Sequence, residues 1–176
     1  ISIEELYEAA LENGFEGSFL DFLKEYIDSK VVDYDAEVAI NSALFSAVSV
    51  VAEFQVLNGN QLTTGYSMGA GVIYKLDKQN GDAVIITNYH VVYNEDDDSV
   101  LPYVYMYVYG QEYFDDAILT SFVGGSATYD IAVLKVQNSS VLKESCVKAV
   151  QVYNSFDLTV GMKAIAIGNP EGSGIA

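Results

Sequence analysis

A chain of 176 residues suits one ordinary domain, or a domain with a small appendage. Hydrophobic residues make up 51% and charged ones 19%, which supports a real core and excludes a disordered tail. Twenty-five acidic residues face eight basic ones, all lysine, for a formal charge of −17, and a surface of that sign repels nucleic acid and anionic lipid.

One cysteine, Cys146, excludes an internal disulfide and a cysteine metal site, and is expected as a small core filler. No apolar run approaches membrane-spanning length; the longest, Ala47 to Ala52, is broken by Ser49. The sequence begins at Ile1 rather than Met, so a preceding segment is expected.

Residues 1–35 read as an α-helical hairpin. Ser2 with Glu4 and Glu5 opens the first helix, and Asn13 to Gly17 stops it. Ser18 with Asp21 three residues on is a weak capping box, followed by an apolar stripe of Phe19, Phe22, Leu23 and Tyr26. A third amphipathic stretch, Ala36 to Phe45, leads into the next domain. From residue 46 the pattern changes to short runs rich in Val, Ile, Tyr and Thr. Strands are predicted over 46–56, 70–76, 83–88, 103–109, 116–123, 131–137 and 162–168. Asn58-Gly59-Asn60, Gln79 to Asp82, Gly124-Gly125-Ser126 and Asn138-Ser139-Ser140 punctuate them. Regular short strands without long helices between them predict an antiparallel barrel or sandwich. In Tyr103 to Tyr109, alternation puts four tyrosines on one face and Val104, Met106 and Val108 on the other, toward the core.

Two residues carry the chemistry. The single histidine, His90, follows a buried run ending Thr87-Asn88 and precedes Val91-Val92. Taken alone it is more often structural than catalytic. Asp130 stands at the mouth of the apolar run Ile131 to Val136, where a carboxylate needs a donor or a cation, or else caps a turn. A histidine is the partner that would make the two a proton-transfer unit, with Asp fixing the imidazole tautomer. Asn94 to Ser99 clusters carboxylates, but without EF-hand spacing a solvated acidic loop is favoured over a Ca²⁺ site. Gly65, Gly69 and Gly71 do not form a dinucleotide-binding fingerprint, and Gly168 to Gly172 lacks a P-loop lysine. Neither a metal nor a cofactor is implied.

Four pieces occur in order: Gly69-Ala70-Gly71-Val72-Ile73, Thr87-Asn88-Tyr89-His90-Val91-Val92, Asp130-Ile131-Ala132-Val133-Leu134-Lys135, and Val160-Gly161 through Ala166-Ile167-Gly168-Asn169-Pro170. Together they resemble the HtrA-like (DegP-type) trypsin-fold serine proteases over roughly residues 46–172. The resemblance implies a mainly β chain: a six-stranded antiparallel trypsin-like barrel over 36–158, with the α-helical hairpin 1–35 as an appendage. Residues 159–176 would open a second barrel. It implies a serine endopeptidase acting on protein or peptide substrates, with His90 as general base and Asp130 as its orienting acid. It also implies an extracytoplasmic location, secreted or at a bacterial envelope. The family's Gly-Asn-Ser-Gly-Gly box is not among these residues, and Ser173 does not match it, so this stretch alone is expected to be inactive. The alternative is a non-catalytic pseudoprotease or protein-binding barrel. Unpaired, the run 162–168 is expected to pair with a second copy, swap into one, fold back on the first barrel, or be disordered.

Overall fold

The computed structural model describes residues 3–94, 99–111, 116–169 and 175. The chain divides into two compact units, Ile1–Asn41 and Ser42–Ala176. In the first, α1 (Ile3–Glu12) is closed by paired bonds, Phe15 N–H to the Ala10 carbonyl at 2.9 Å and Gly14 N–H to Leu11 at 3.1 Å. This is the Schellman arrangement that satisfies a helix's last carbonyls. Ser18 and Asp21 cap α2 reciprocally: Ser18 N–H donates to the Asp21 carboxylate at 3.0 Å, and Asp21 N–H to Ser18 Oγ at 3.3 Å. Tyr7, Phe15, Phe19 and Phe22 form one aromatic cluster, with ring centroids 5.2–6.3 Å apart. The hairpin's second helix and the separate stretch 36–45 prove to be one element, α2 (Phe19–Leu44). No Gly or Pro falls between Phe19 and Leu44, so nothing interrupts the backbone ladder.

The second unit is a closed antiparallel barrel. Its strands are β1 (Ala47–Asn58), β2 (Gln61–Asp77) and β3 (Asp82–Thr87), followed by the single turn α3 (Tyr89–Val92). The two-residue pair β4 (Tyr93–Asn94) and β5 (Ser99–Val100) comes next, then β6 (Tyr103–Val108), β7 (Ile118–Ser126) and β8 (Ile131–Val136). The order around the barrel is β1-β2-β3-β8-β7-β6, closed by β6 against β1. Closure removes the exposed sheet edges that an open sheet would present. Alternating inward residues fill the centre, among them Val48, Val50, Ile73, Ile85, Met106 and Leu134, all without solvent exposure.

Six of the predicted strands are present, within a few residues, except that β2 starts at Gln61 instead of 70. Asn58 pairs Gln61 across the predicted turn, so β1 and β2 run beyond the barrel as a long hairpin. Leu57 and Leu62 at its tip stay exposed, which hid the strand from a reading based on burial. In β6, Val104, Met106 and Val108 point inward as expected. The tyrosine face is not uniform: Tyr103 and Tyr109 are exposed, whereas Tyr107 is buried. Tyr109 meets Phe45 edge-on at 6.5 Å.

Two expectations are corrected. Cys146 is exposed rather than a core filler: it follows α4 (Ser140–Glu144) on the surface, and its neighbours Leu142 and Val147 take the inward positions. Residues 162–168 form no strand; Met162 and Ile165 are exposed, and among the described residues none pairs alongside them. A strand exists only through its partner, so apolar alternation alone did not make one. The segment turns back onto the barrel at Asn169, whose side-chain amide donates to the Gly69 carbonyl at 3.1 Å. No helix among the described residues is long and apolar enough to cross a membrane.

Gly69 is fixed by packing. A methyl group on its α-carbon would lie 2.5 Å from Val91 Cγ2, inside contact distance. Gly69→Ala should therefore destabilise the barrel by roughly 1–3 kcal/mol, the usual penalty of overpacking. Urea unfolding checks this, and Val91→Ala added to it should recover part of the loss relative to additivity.

Candidate active site

β3 and β8 are antiparallel neighbours in which Thr87 pairs Ala132. The residue after β3 and the residue before β8 therefore emerge side by side at one end of the barrel. Asn88 and Asp130 occupy those places, and His90 follows two residues on.

The turn α3 is held from beneath. Val91 and Val92 are almost fully buried, each worth about 1.5–3 kcal/mol of apolar burial. Tyr89 lies on Gly125, where an added Cβ would come within 2.7 Å of its ring, and its centroid is 4.9 Å from that of Tyr93. With its neighbours fastened inward, His90 is left outward, its side chain 67% exposed. An exposed ion pair contributes little to stability, so the apolar neighbours fix the turn and the imidazole is free to serve another purpose.

Asp130 closes the β7–β8 turn, its N–H donating to the Ala127 carbonyl at 3.2 Å. Its φ of 51° lies in the left-handed region, which Asp and Asn tolerate better than most residues. That backbone turns the carboxylate toward α3. Oδ1 accepts the His90 backbone N–H at 3.0 Å. Oδ2 lies 2.8 Å from His90 Nδ1 and accepts Asn88 Nδ2–H at 3.0 Å. The same Asn88 amide reaches the Asp130 carbonyl at 3.2 Å. The His90 backbone N–H does most to hold the carboxyl below the usual aspartate range; desolvation, the next largest effect, opposes it, and the imidazole and Asn88 add lesser lowering contributions.

A carboxylate accepts only, so the proton between the two residues sits on Nδ1 in the neutral ring, and Nε2 keeps its lone pair. The arrangement is chemically a base with an oriented tautomer. Thr87, Asn88, Asp130 and Ile167 line a cavity of about 280 Å³ beside it. The structure thus brings together both residues singled out in the sequence. It adds Asn88, to which the sequence had given no role. Its signal was available, a polar side chain between a buried strand and the histidine, two residues from it. The acidic loop 95–98 and Ser173 lie outside the described residues. Among the described residues, no group of three or more His, Cys, Asp or Glu could hold a metal.

Comparison with known proteins gives the same reading of the chain. A protein named Serine protease Do-like HtrA from Lactococcus lactis subsp. lactis is 39% identical over 111 residues, 62% of this chain and 23% of the relative. The protein of the same name from Bacillus subtilis is 32% identical over 136 residues, 77% of this chain and 25% of the relative. The sequence is HtrA-like. The chain spans about a quarter of the length of these curated relatives. No family model matches. Among solved structures, a serine endoprotease from Yersinia pestis aligns with a TM-score of 0.49 at 20% identity, over 78% of this chain and 40% of that one. The barrel of the HtrA-like chain is six-stranded and antiparallel, as the four sequence motifs implied.

Because the folded Asp130 pKa is lowered, its carboxylate stabilises the fold above the unfolded-state pKa, and that contribution is lost as pH falls through the folded value. Carbon-detected NMR titration should put the Asp130 midpoint below the ordinary 3.8. Wild type and Asp130→Asn should converge in stability only below that midpoint. A midpoint at or above 3.8 would contradict the hydrogen bonding described here.

Proposed function

We propose that this chain supplies the general base and the orienting acid of a serine endopeptidase, and that both belong to a longer protein. The observation that carries the reading is the 2.8 Å contact between His90 Nδ1 and Asp130 Oδ2, set within an HtrA-like sequence. Nε2 takes the proton of a serine hydroxyl as its oxygen attacks a peptide carbonyl, forming a tetrahedral oxyanion. The imidazolium returns that proton to the leaving amine, and the C–N bond breaks. Water then repeats the sequence on the acyl-enzyme, releasing the acid and restoring the serine. Asp130 stays ionised throughout, holding the ring and stabilising its cationic form. Asn88 and the His90 backbone N–H keep the carboxylate from turning away.

The serine is assigned to sequence outside these 176 residues, along with the donors for the oxyanion. The substrates are proteins or peptides, and no part of the reaction calls for a cofactor. The working protein is placed outside the cytoplasm, secreted or held at a bacterial envelope, as the resemblance implies.

In that protein, His90→Ala should lower peptide hydrolysis by several orders of magnitude, and Asp130→Asn by roughly 10⁴-fold, the loss seen when the tautomer is wrong. Near-normal turnover in a folded His90→Ala variant would overturn the assignment. The 176-residue chain by itself should show only background labelling by a fluorophosphonate probe; stoichiometric labelling at any of its serines would contradict the placement of the nucleophile.

A further inference from the structure

Three of the four sequence motifs meet at one residue. Gly69 lies in β2, and its α-carbon is the surface on which Val91 rests, as the 2.5 Å approach of a hypothetical Cβ shows. Val91 is the residue after His90. The carbonyl of the same Gly69 accepts the Asn169 side-chain amide at 3.1 Å, a contact spanning 100 residues of sequence. Asn169 is itself only 8% exposed, although the preceding residues 161–166 are all exposed. Ile167, two residues earlier, lines the cavity shared with Thr87, Asn88 and Asp130. The chain therefore runs exposed over 161–166 and is bonded to the barrel at Asn169, directly behind the turn that carries His90.

We propose that Asn169 is a positioning residue, fixing where the departing chain stands relative to His90. The inference rests on the reading of His90 and Asp130 as base and acid, since in that reading the sequence beyond Asn169 brings the serine. A side chain bonded to the floor of the histidine turn couples the two halves of the reaction through a few atoms. Glycine at 69 is required for its missing Cβ, which lets Val91 pack against the backbone whose carbonyl accepts the Asn169 amide. An amide suits the task because its Nδ2–H donates to a carbonyl that a carboxylate would repel. Misplacing reacting groups by about 1 Å costs on the order of 100-fold in rate, so a single tether of this kind has a measurable effect.

The experiment uses the full-length protein carrying this chain, with turnover normalised to active sites titrated by a fluorophosphonate. Asn169→Ala removes the donor, and Asn169→Asp removes it at constant shape. Both should lower kcat by roughly 10- to 100-fold, with KM within about twofold of wild type, because the interaction acts on alignment and not on substrate binding. In a His90→Ala background, where turnover is taken per mole of folded protein because the unactivated serine is not titrated, neither should cause further loss, since alignment to an absent base has no effect. Wild-type kcat per titrated site in Asn169→Asp, with His90→Ala inactive, would overturn the role of Asn169 alone. A loss of equal size in the His90→Ala background would also overturn it, showing a merely structural contact. Wild-type turnover in His90→Ala would overturn both the reading of the site and this inference.

Discussion

The site depends on the register between β3 and β8. Thr87 opposite Ala132 puts the exit of one strand beside the entry of the other, and the contacts of Asp130 with Asn88 and His90 follow from that pairing. A slip of one residue would turn either Ile85 or Leu134 away from the core and separate Asn88 from Asp130. Barrel closure protects the register, because both strands also pair on their other sides, β3 with β2 and β8 with β7. The fold's largest apolar investment thus holds two side chains that contribute little to its stability.

Stability and chemistry are divided between neighbouring positions. Val91 and Val92 face inward and Tyr89 packs over Gly125, so the turn keeps its shape without help from the imidazole. Asp130 sits in a left-handed conformation at the end of a turn, an arrangement more costly than an ordinary strand entry. That conformation brings the carboxylate to the backbone N–H and ring of His90 together. The backbone bond fixes where the carboxylate sits, leaving Oδ2 to the ring and to Asn88.

Much of this was legible in the sequence, and the exceptions have physical causes. Strands such as Asp82–Thr87 and Ile131–Val136 announce themselves by continuous apolar runs and by turn residues on either side. The outer half of the β1–β2 hairpin buries little, so its pairing, which is carried by backbone, left no hydrophobic trace. Residues 162–168 show the reverse case: the alternation is there, but no described partner lies beside it, and no strand forms. Residue type alone places Cys146 inward, whereas its position just after α4 leaves it exposed. His90 and Asp130 were found through motif order, because a lone histidine and a lone aspartate say little separately. Asn88 and Asn169 lay inside those motifs, but their roles depend on hydrogen bonds over 42 and 100 residues of sequence, which no local pattern encodes.

The central claim is that the Asp130 carboxylate selects the imidazole tautomer of His90. The chain contains one histidine, so a long-range ¹H–¹⁵N spectrum reports it without ambiguity. With the ring neutral, Nδ1 should carry the proton and Nε2 should show the shift of an unprotonated nitrogen, and Asp130→Asn should abolish this preference. A wild-type ring protonated at Nε2, or one unaffected by Asp130→Asn, would contradict it.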